Sequence, residues 1–391
     1  NTAPFLIALR TGPSLKTMFP LIRVFEPRLS ISDKVSVLRG LLKNNISGTS
    51  PSVSKFEDDL ANYFNRAYAV TVSNGSVALD LALQNANLKK GDEIIVPSFT
   101  IISCLSAILR TKATPIFCDV DANSWNITKE LVEEKITKKT KAILMVHLYG
   151  LAAEASKIEN LCNKNNILLI EDAAESHGQV ENSKKCGSFG SISTMSFYAN
   201  KHITTGEGGV LLTNDIDVYK KTQQMRNLDF NNKKRFVHNN LYWNYRLGGL
   251  QAALGISQLK NLTKTIDQKI NQGKYYQDLL KKHENKLSTQ LDSWNGMQNH
   301  YWVFGILLKK ADIRDKVMED LFEKGIETRP FFWPLHLQPL LPKEYMPNDL
   351  NLNISEDLGK NGFYIPIGNH ISKNDQKQIV DHMIDSIEKY E

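Results

Sequence analysis

Residues 67–86 read AYAVTVSNGSVALDLALQNA. The first six residues are apolar and rich in β-branched side chains, and they read as a buried strand. SVALDLALQNA (76–86) reads as a helix, and Ser73-Asn74-Gly75-Ser76 join the two. The same unit recurs downstream. EIIVP (93–97) precedes an apolar helix around 101–110, and TPIFCDV (114–120) precedes a helix that the Asn126–Thr128 region caps. KAILMV (141–146) precedes a helix near 154–164. ILLIED (167–172), STMSFY (193–198) and GGVLLT (208–213) add three more strands. Nearly continuous apolar strands separated by helices predict a mostly parallel sheet covered on both faces.

After about residue 260 the pattern changes. A long polar-faced helix over 266–283, a strand WVFGILL (302–308) and helices near 313–324 and 373–389 predict a second, smaller α/β unit. The expected fold class is therefore α/β. A large three-layer α/β/α domain spans 21–264, a smaller C-terminal α/β domain spans 265–391, and residues 1–20 form an N-terminal extension to which no role is assigned.

The chain has 391 residues, 41% of them hydrophobic and 23% charged, which suits a globular protein with a sizeable core. Lys and Arg exceed Asp and Glu by 48 to 42, a net charge of +6. So mild an excess suits a solvated basic face or an anionic small substrate, and no basic run interleaves aromatics as nucleic-acid binders do. Cys104, Cys118, Cys162 and Cys186 form no CxxC pair, so neither a zinc knuckle nor a redox motif is indicated and no metal is expected. No run approaches the ~20 apolar residues of a membrane span, and the first twenty residues lack the apolar core of a signal peptide. A reduced, cytoplasmic protein without a nucleic-acid or membrane partner is expected.

Open α/β sheets bind ligands at the carboxyl ends of their strands. Four polar clusters stand there. Ser73–Ser76 could cradle a phosphate at a helix N-terminus, or simply cap the helix. Glu171 and Asp172 end a strand, where an acid can face a ligand or water. In SFYANKHITTGEGG (196–209), Lys201 follows a strand end and precedes a glycine turn, and a lone lysine is usually a surface residue. Asn244-Tyr245-Arg246 precedes the helix beginning LGGLQAAL. Taken together, the clusters meet one specification. Pyridoxal 5′-phosphate needs a lysine for a Schiff base, an acid to keep its pyridine nitrogen protonated, and a phosphate cup.

At this point the sequence resembles the DegT/DnrJ/EryC family of pyridoxal-phosphate-dependent nucleotide-sugar aminotransferases, of the fold-type I (aspartate aminotransferase-like) class. The likeness runs from about residue 20 to the end. It is carried by SNGSVALDLAL, GDEIIVPSFT, ATPIFCDVD, HLYG, IEDAAESHG, SFYANKHITTGEGG, NYRLGGLQAALG and GIETRPFFWPLH. The resemblance implies Lys201 as the Schiff-base lysine and Asp172 as the partner of the pyridine nitrogen. It implies Glu175 beside the cofactor ring, and Asn74, Gly75, Ser76 and Ser196 on the phosphate. Asn244 would reach the phosphate from a neighbouring subunit, so a homodimer with shared sites is implied. Arg329 and His336 would lie near the substrate.

The implied reaction moves an amino group from L-glutamate to a nucleotide-linked 4-keto-6-deoxy sugar. A GDP-linked sugar is expected first, and a UDP- or dTDP-linked sugar, or amination at C3, stays open. Two positions add information. Where the family usually places an aromatic to stack on the ring stands Ile101, which forgoes roughly 0.5–1.5 kcal/mol of stacking. Related dehydratases replace the lysine with histidine; here Lys201 holds that position and His202 is only its neighbour. A non-catalytic regulatory member of the family is the remote alternative, against which the intact lysine, acid and cup all speak.

Overall fold

The computed structural model describes residues 21–27, 29–230, 234–345 and 350–391. The expected extension, residues 1–20, lies outside the described residues. A seven-stranded sheet forms the centre, in the order Tyr68–Val72, Gly209–Thr213, Ile192–Ser196, Leu168–Asp172, Thr140–Val146, Glu93–Pro97 and Thr114–Cys118. Four neighbouring pairs are parallel, and both antiparallel pairs involve Gly209–Thr213, the one reversed strand. The sheet is thus mostly parallel, as the apolar runs require. Ile94, Ile95, Ile143, Leu144 and Ile170 are completely buried, so both faces of the sheet are covered.

The strands at 68–72, 93–97, 114–118 and 168–172 and the helices Gly75–Asn85, Ile102–Arg110 and Ala155–Asn165 fall where the sequence places them. Four helices of the described residues escaped the periodicity: Ile31–Leu42, Pro51–Tyr63, Ile216–Arg226 and Asn353–Asn361. Two of them start on strong local signals. Ser30 and Asp33 form a capping box, and the Asp215 carboxylate accepts from Asp217 N and Val218 N.

A second sheet is antiparallel, in the order Leu287–Thr289, Phe304–Leu308, Gly362–Ile365 and Arg329–Pro330. The sequence reading found only the second of these strands. Two hydrophobic cores result, one around the large sheet and one around the small. The helix Leu262–Leu280 belongs to both: Leu262 and Ile266 pack in the first core, and Tyr276 and Leu280 in the second. The chain also crosses between cores at its start. Ile22 N donates to Gly325 O at 2.7 Å and Glu327 N donates to Ile22 O at 2.9 Å, so the first described residues pair with the small unit. Conversely Phe331, Leu335 and Leu352 pack in the large core.

Candidate active site

The Leu168–Asp172 strand brings two acids to the carboxyl edge of the sheet, and strand alternation sends them to opposite faces. Glu171 points into a buried polar knot. Its carboxylate accepts from Gly187 N at 2.7 Å, Phe189 N at 2.8 Å, Ser193 Oγ at 2.7 Å and His147 Nε2 at 2.9 Å. Ala153 N–H donates to His147 Nδ1, which leaves the ring proton on Nε2 to face Glu171. Arg66 closes the knot by donating to the carbonyls of Gly187, Phe189 and Gly190. With four donors the Glu171 carboxylate is fully satisfied, and its role in this fold is structural.

Asp172 faces the other way. One oxygen accepts from Ala174 N at 3.0 Å, and the buried Cys104 thiol donates weakly to the other at 3.7 Å. Burial raises its affinity for a proton, and the Ala174 N–H and the Lys201 charge oppose that.

Lys201 sits on the loop between the paired strands Ile192–Ser196 and Gly209–Thr213. The base of the loop is tied by Phe197 N to Gly208 O at 2.8 Å and by Thr205 N to Phe197 O at 2.9 Å. Gly206, at φ +82°, makes the turn that a side chain would strain. The Lys201 side chain turns inward and is buried. Its Nζ lies 3.5 Å from Glu175 Oε1 and 3.5 Å from the centre of the Trp302 ring. Burial lowers its pKa below the lysine range, and the Glu175 and Asp172 carboxylates pull it back up. The other Glu175 oxygen accepts from Tyr149 N at 3.0 Å. Burial pushes the Glu175 carboxyl up to about 7 despite Lys201. A buried amine, poised below its usual range and flanked by two carboxylates, is suited to form and break covalent bonds and to carry a proton.

The phosphate-cup candidates also converge. Asn74 caps the helix Gly75–Asn85, its side chain accepting from Val77 N at 2.9 Å. The N–H groups of Gly75 and Ser76 therefore stand at a helix start, where the helix itself offers no acceptor. Ser196 ends the neighbouring strand beside them: a Cβ on Gly75 would lie 2.7 Å from Ser196 Cβ. Ser76 Oγ is 2.7 Å from Ser103 Oγ. A helix N-terminus with small residues and a serine hydroxyl is a ready anion site. In Gly75→Ala the new Cβ would lie 2.7 Å from Ser196 Cβ, so the substitution is expected to push the helix start and Ser196 apart and to disturb the cup locally. The expected result is an at least about tenfold weaker affinity for pyridoxal phosphate in an equilibrium titration, the loss of one charge-assisted hydrogen bond. Unchanged affinity would place the phosphate elsewhere.

The remaining candidates are placed less uniformly. Ile101 is the residue before helix Ile102–Arg110, one turn from Cys104, and its side chain is 37% exposed. Asn244 is exposed, with its side-chain oxygen accepting from Arg246 N at 3.3 Å; its segment runs beside Val72 and Ser73 of its own chain. Arg329 is exposed and paired with Glu327, and the strand that carries it lies opposite Tyr364. His336 is only 3% exposed. Its Nδ1 lies 2.6 Å from Ser98 Oγ and its Nε2 3.4 Å from Glu356 Oε1, so both ring nitrogens are engaged.

The site also contains residues that the sequence reading passed over. Tyr149, at φ +58°, and Trp302 pack 5.8 Å apart beside Lys201, with Phe331 and Phe332 around them. The quoted HLYG motif held the signal for Tyr149, since a Tyr-Gly turn after a buried strand aims a side chain over the strand ends. Trp302 had none, because it comes from the other end of the chain.

A sequence model of the DegT/DnrJ/EryC1/StrS aminotransferase family matches residues 30–384. The chain belongs to this family. Aminotransferases of the family use pyridoxal phosphate, and the buried lysine, the buried acid and the cradle that a Cβ on Gly75 would fill suit that group. The chain is 38% identical over 345 residues to the GDP-perosamine synthase of Escherichia coli O157:H7, covering 88% of this chain and 93% of that one. Among solved structures it is similar to the E. coli GDP-4-keto-6-deoxy-D-mannose-3-dehydratase with bound hydrated pyridoxal phosphate (26% identity, TM-score 0.84, 94% of this chain and 100% of that one). It is equally similar to a mutant GDP-4-keto-6-deoxymannose-3-dehydratase with bound GDP-perosamine (27% identity, TM-score 0.84, 94% and 100%). The family match and these folds bear out the expected α/β architecture and the aminotransferase reading.

Proposed function

We propose that the protein transfers the amino group of L-glutamate to GDP-4-keto-6-deoxy-D-mannose, giving GDP-perosamine. The observation that carries this reading is the buried Lys201 amine between Glu175 and Trp302, on a chain similar to GDP-perosamine synthases. A histidine at that position would suit dehydration; lysine suits amine transfer.

Pyridoxal phosphate, when bound, supplies an electron sink that stabilises a carbanion next to nitrogen. The protein's own residues do the rest. Lys201 would hold the group through its amine, and that amine, when free, would carry the proton at the reacting carbon. Asp172 would keep the pyridine nitrogen protonated. Glu175 sits beside the Lys201 amine and would lie beside the ring. Asn74, Gly75, Ser76 and Ser196 would hold the phosphate, and Ile101 would line the site near the ring. Arg329 lies on the nucleotide-sugar side. His336, engaged by Ser98 and Glu356, shapes that wall by fixing the 331–338 segment against the large sheet.

Asn244 completes the phosphate site of a partner subunit in a homodimer. In the segment before it Phe236 (78% exposed), Leu241 (91%) and Trp243 (61%) expose apolar side chains that a second copy would cover. No helix among the described residues is long and apolar enough to cross a membrane. All four cysteines are free and buried, which fits a reducing, cytoplasmic location.

The test is a substrate panel. GDP-, UDP- and dTDP-linked 4-keto-6-deoxy sugars are offered with glutamate, and the amino sugar is followed by mass spectrometry. A clear preference for the GDP-linked substrate is expected. Preference for another nucleotide would replace the substrate and leave the aminotransferase in place.

A further inference from the structure

Trp302 enters the Phe304–Leu308 strand from the loop before it, and its indole meets the Lys201 residue at two points. The ring face lies 3.5 Å from the amine. Its Nε1–H donates at 3.1 Å to the carbonyl of Asn200, the peptide that leads into Lys201. The indole is fixed from several sides. Tyr149 and Phe332 lie against it, with ring centroids 5.8 Å and 6.5 Å away. The Trp302 carbonyl accepts from Lys269 Nζ at 2.7 Å. Behind it Gly150 permits a close approach, since a Cβ there would lie 2.6 Å from Tyr301 N and 2.7 Å from Trp302 N. Across the amine stands Glu175 Oε1, at 3.5 Å. An ammonium held between an aromatic face and a carboxylate, away from water, has a defined seat.

A lysine that forms and releases a covalent bond in every cycle must rest somewhere while released, and must rest close enough to return. We propose that the face of Trp302 opposite Glu175 is the seat of the free Lys201 amine, and that the indole N–H holds the Lys201 backbone so that the amine stays within reach. Trp302 is thus a positioning residue that acts through Lys201. The proposal rests on the reading of Lys201 as the amine of the reaction.

The test uses cofactor-free full-length protein. Pyridoxal phosphate is added across a neutral-to-alkaline pH series, and covalent capture is followed by visible absorbance. Capture adds the neutral amine to the cofactor's aldehyde, and one water leaves, so the pH midpoint of the rate reports the ionisation of Lys201. The other titratable groups that face Lys201 are Glu175, Asp172, His177 and Lys269; Glu175 and Lys269 titrate near neutral pH, so the readout is the difference in midpoint between wild type and variants, in which these four residues are the same. Removing the aromatic face in Trp302→Leu destabilises the ammonium, so the midpoint is expected to fall by about one pH unit. Trp302→Phe keeps a ring and is expected to shift it less. An unchanged midpoint in Trp302→Leu overturns the proposal. So do equal shifts in both variants, which would mean lost packing rather than a lost ring face.

If Trp302→Leu does not fold, indole emission of the cofactor-free wild type is compared with that of Lys201→Met. A pH-dependent change present only in the wild type supports the seat, and identical profiles overturn it. A wild-type protein that captures no pyridoxal phosphate would overturn the reading of Lys201 itself, which is a distinct failure.

Discussion

Lys201→Ala is expected to abolish turnover, lowering kcat at least about 10⁴-fold, because in the proposed reaction the nucleophile and the proton carrier are the same amine. The variant should still bind pyridoxal phosphate, since the cup at Asn74, Gly75, Ser76 and Ser196 is untouched, but without the visible absorbance of a lysine-bound cofactor. No neighbour stands ready to substitute. The His202 ring is engaged with the His300 carbonyl at 3.1 Å. Lys269 is tied to the Trp302 carbonyl at 2.7 Å. Small primary amines added to the solution should restore part of the activity, since they can carry the proton from the vacated space. Steady-state kinetics with glutamate and the GDP-linked ketosugar check this. Normal turnover by the alanine variant would remove Lys201 from the reaction.

The second large effect is expected at Asp172. Asn is nearly the same size and can still accept from Ala174 N, so Asp172→Asn should fold and retain cofactor. It cannot carry the negative charge that, in the proposed role, would keep the pyridine nitrogen protonated. A fall in kcat of about 10²–10³-fold is expected, the scale of losing one preorganised electrostatic partner. Stability should move the other way. Burial raises the folded-state pKa of Asp172. Such a group contributes stability below its unfolded pKa and loses that contribution as pH rises through the folded pKa. At neutral pH the cofactor-free wild type therefore carries the cost of a buried carboxylate, which Asn removes. Thermal melting of the two cofactor-free proteins at neutral pH should give a Tm for Asp172→Asn no lower than that of the wild type. A clear drop would show that Asp172 is structural.

Much of this site was legible in the sequence because its parts are local. A strand end, a polar turn and a helix start are all written within a few residues, as at Val72–Ser76 and Asp172–Glu175. Lys201 alone was ambiguous, and it gained meaning from Asp172 and the 73–76 cradle. The choice between Glu171 and Asp172 became physical only with the structure, when each donor to Glu171 was accounted for. What stayed hidden is what the tertiary fold assembles. Trp302 reaches Lys201 across 101 positions of chain. The small sheet pairs strands of two to five residues, too short for any periodicity. His336 sits in a conspicuous PLH stretch, yet its ring is committed to Ser98 and Glu356, a fact that spacing does not encode.

The buried knot around Glu171 bears on how the chain avoids error while folding. A one-residue slip of the central strand would exchange the two acids between faces. Aspartate, one methylene shorter than glutamate, would not span the donors of Gly187, Phe189, Ser193 and His147 together. Each donor left without a partner costs about 1–3 kcal/mol, so a slipped strand is heavily penalised. The knot therefore acts as a proofreading device for the middle strand. Only the correct register satisfies it, and that register is the one that sends Asp172 to the opposite face, toward the candidate site.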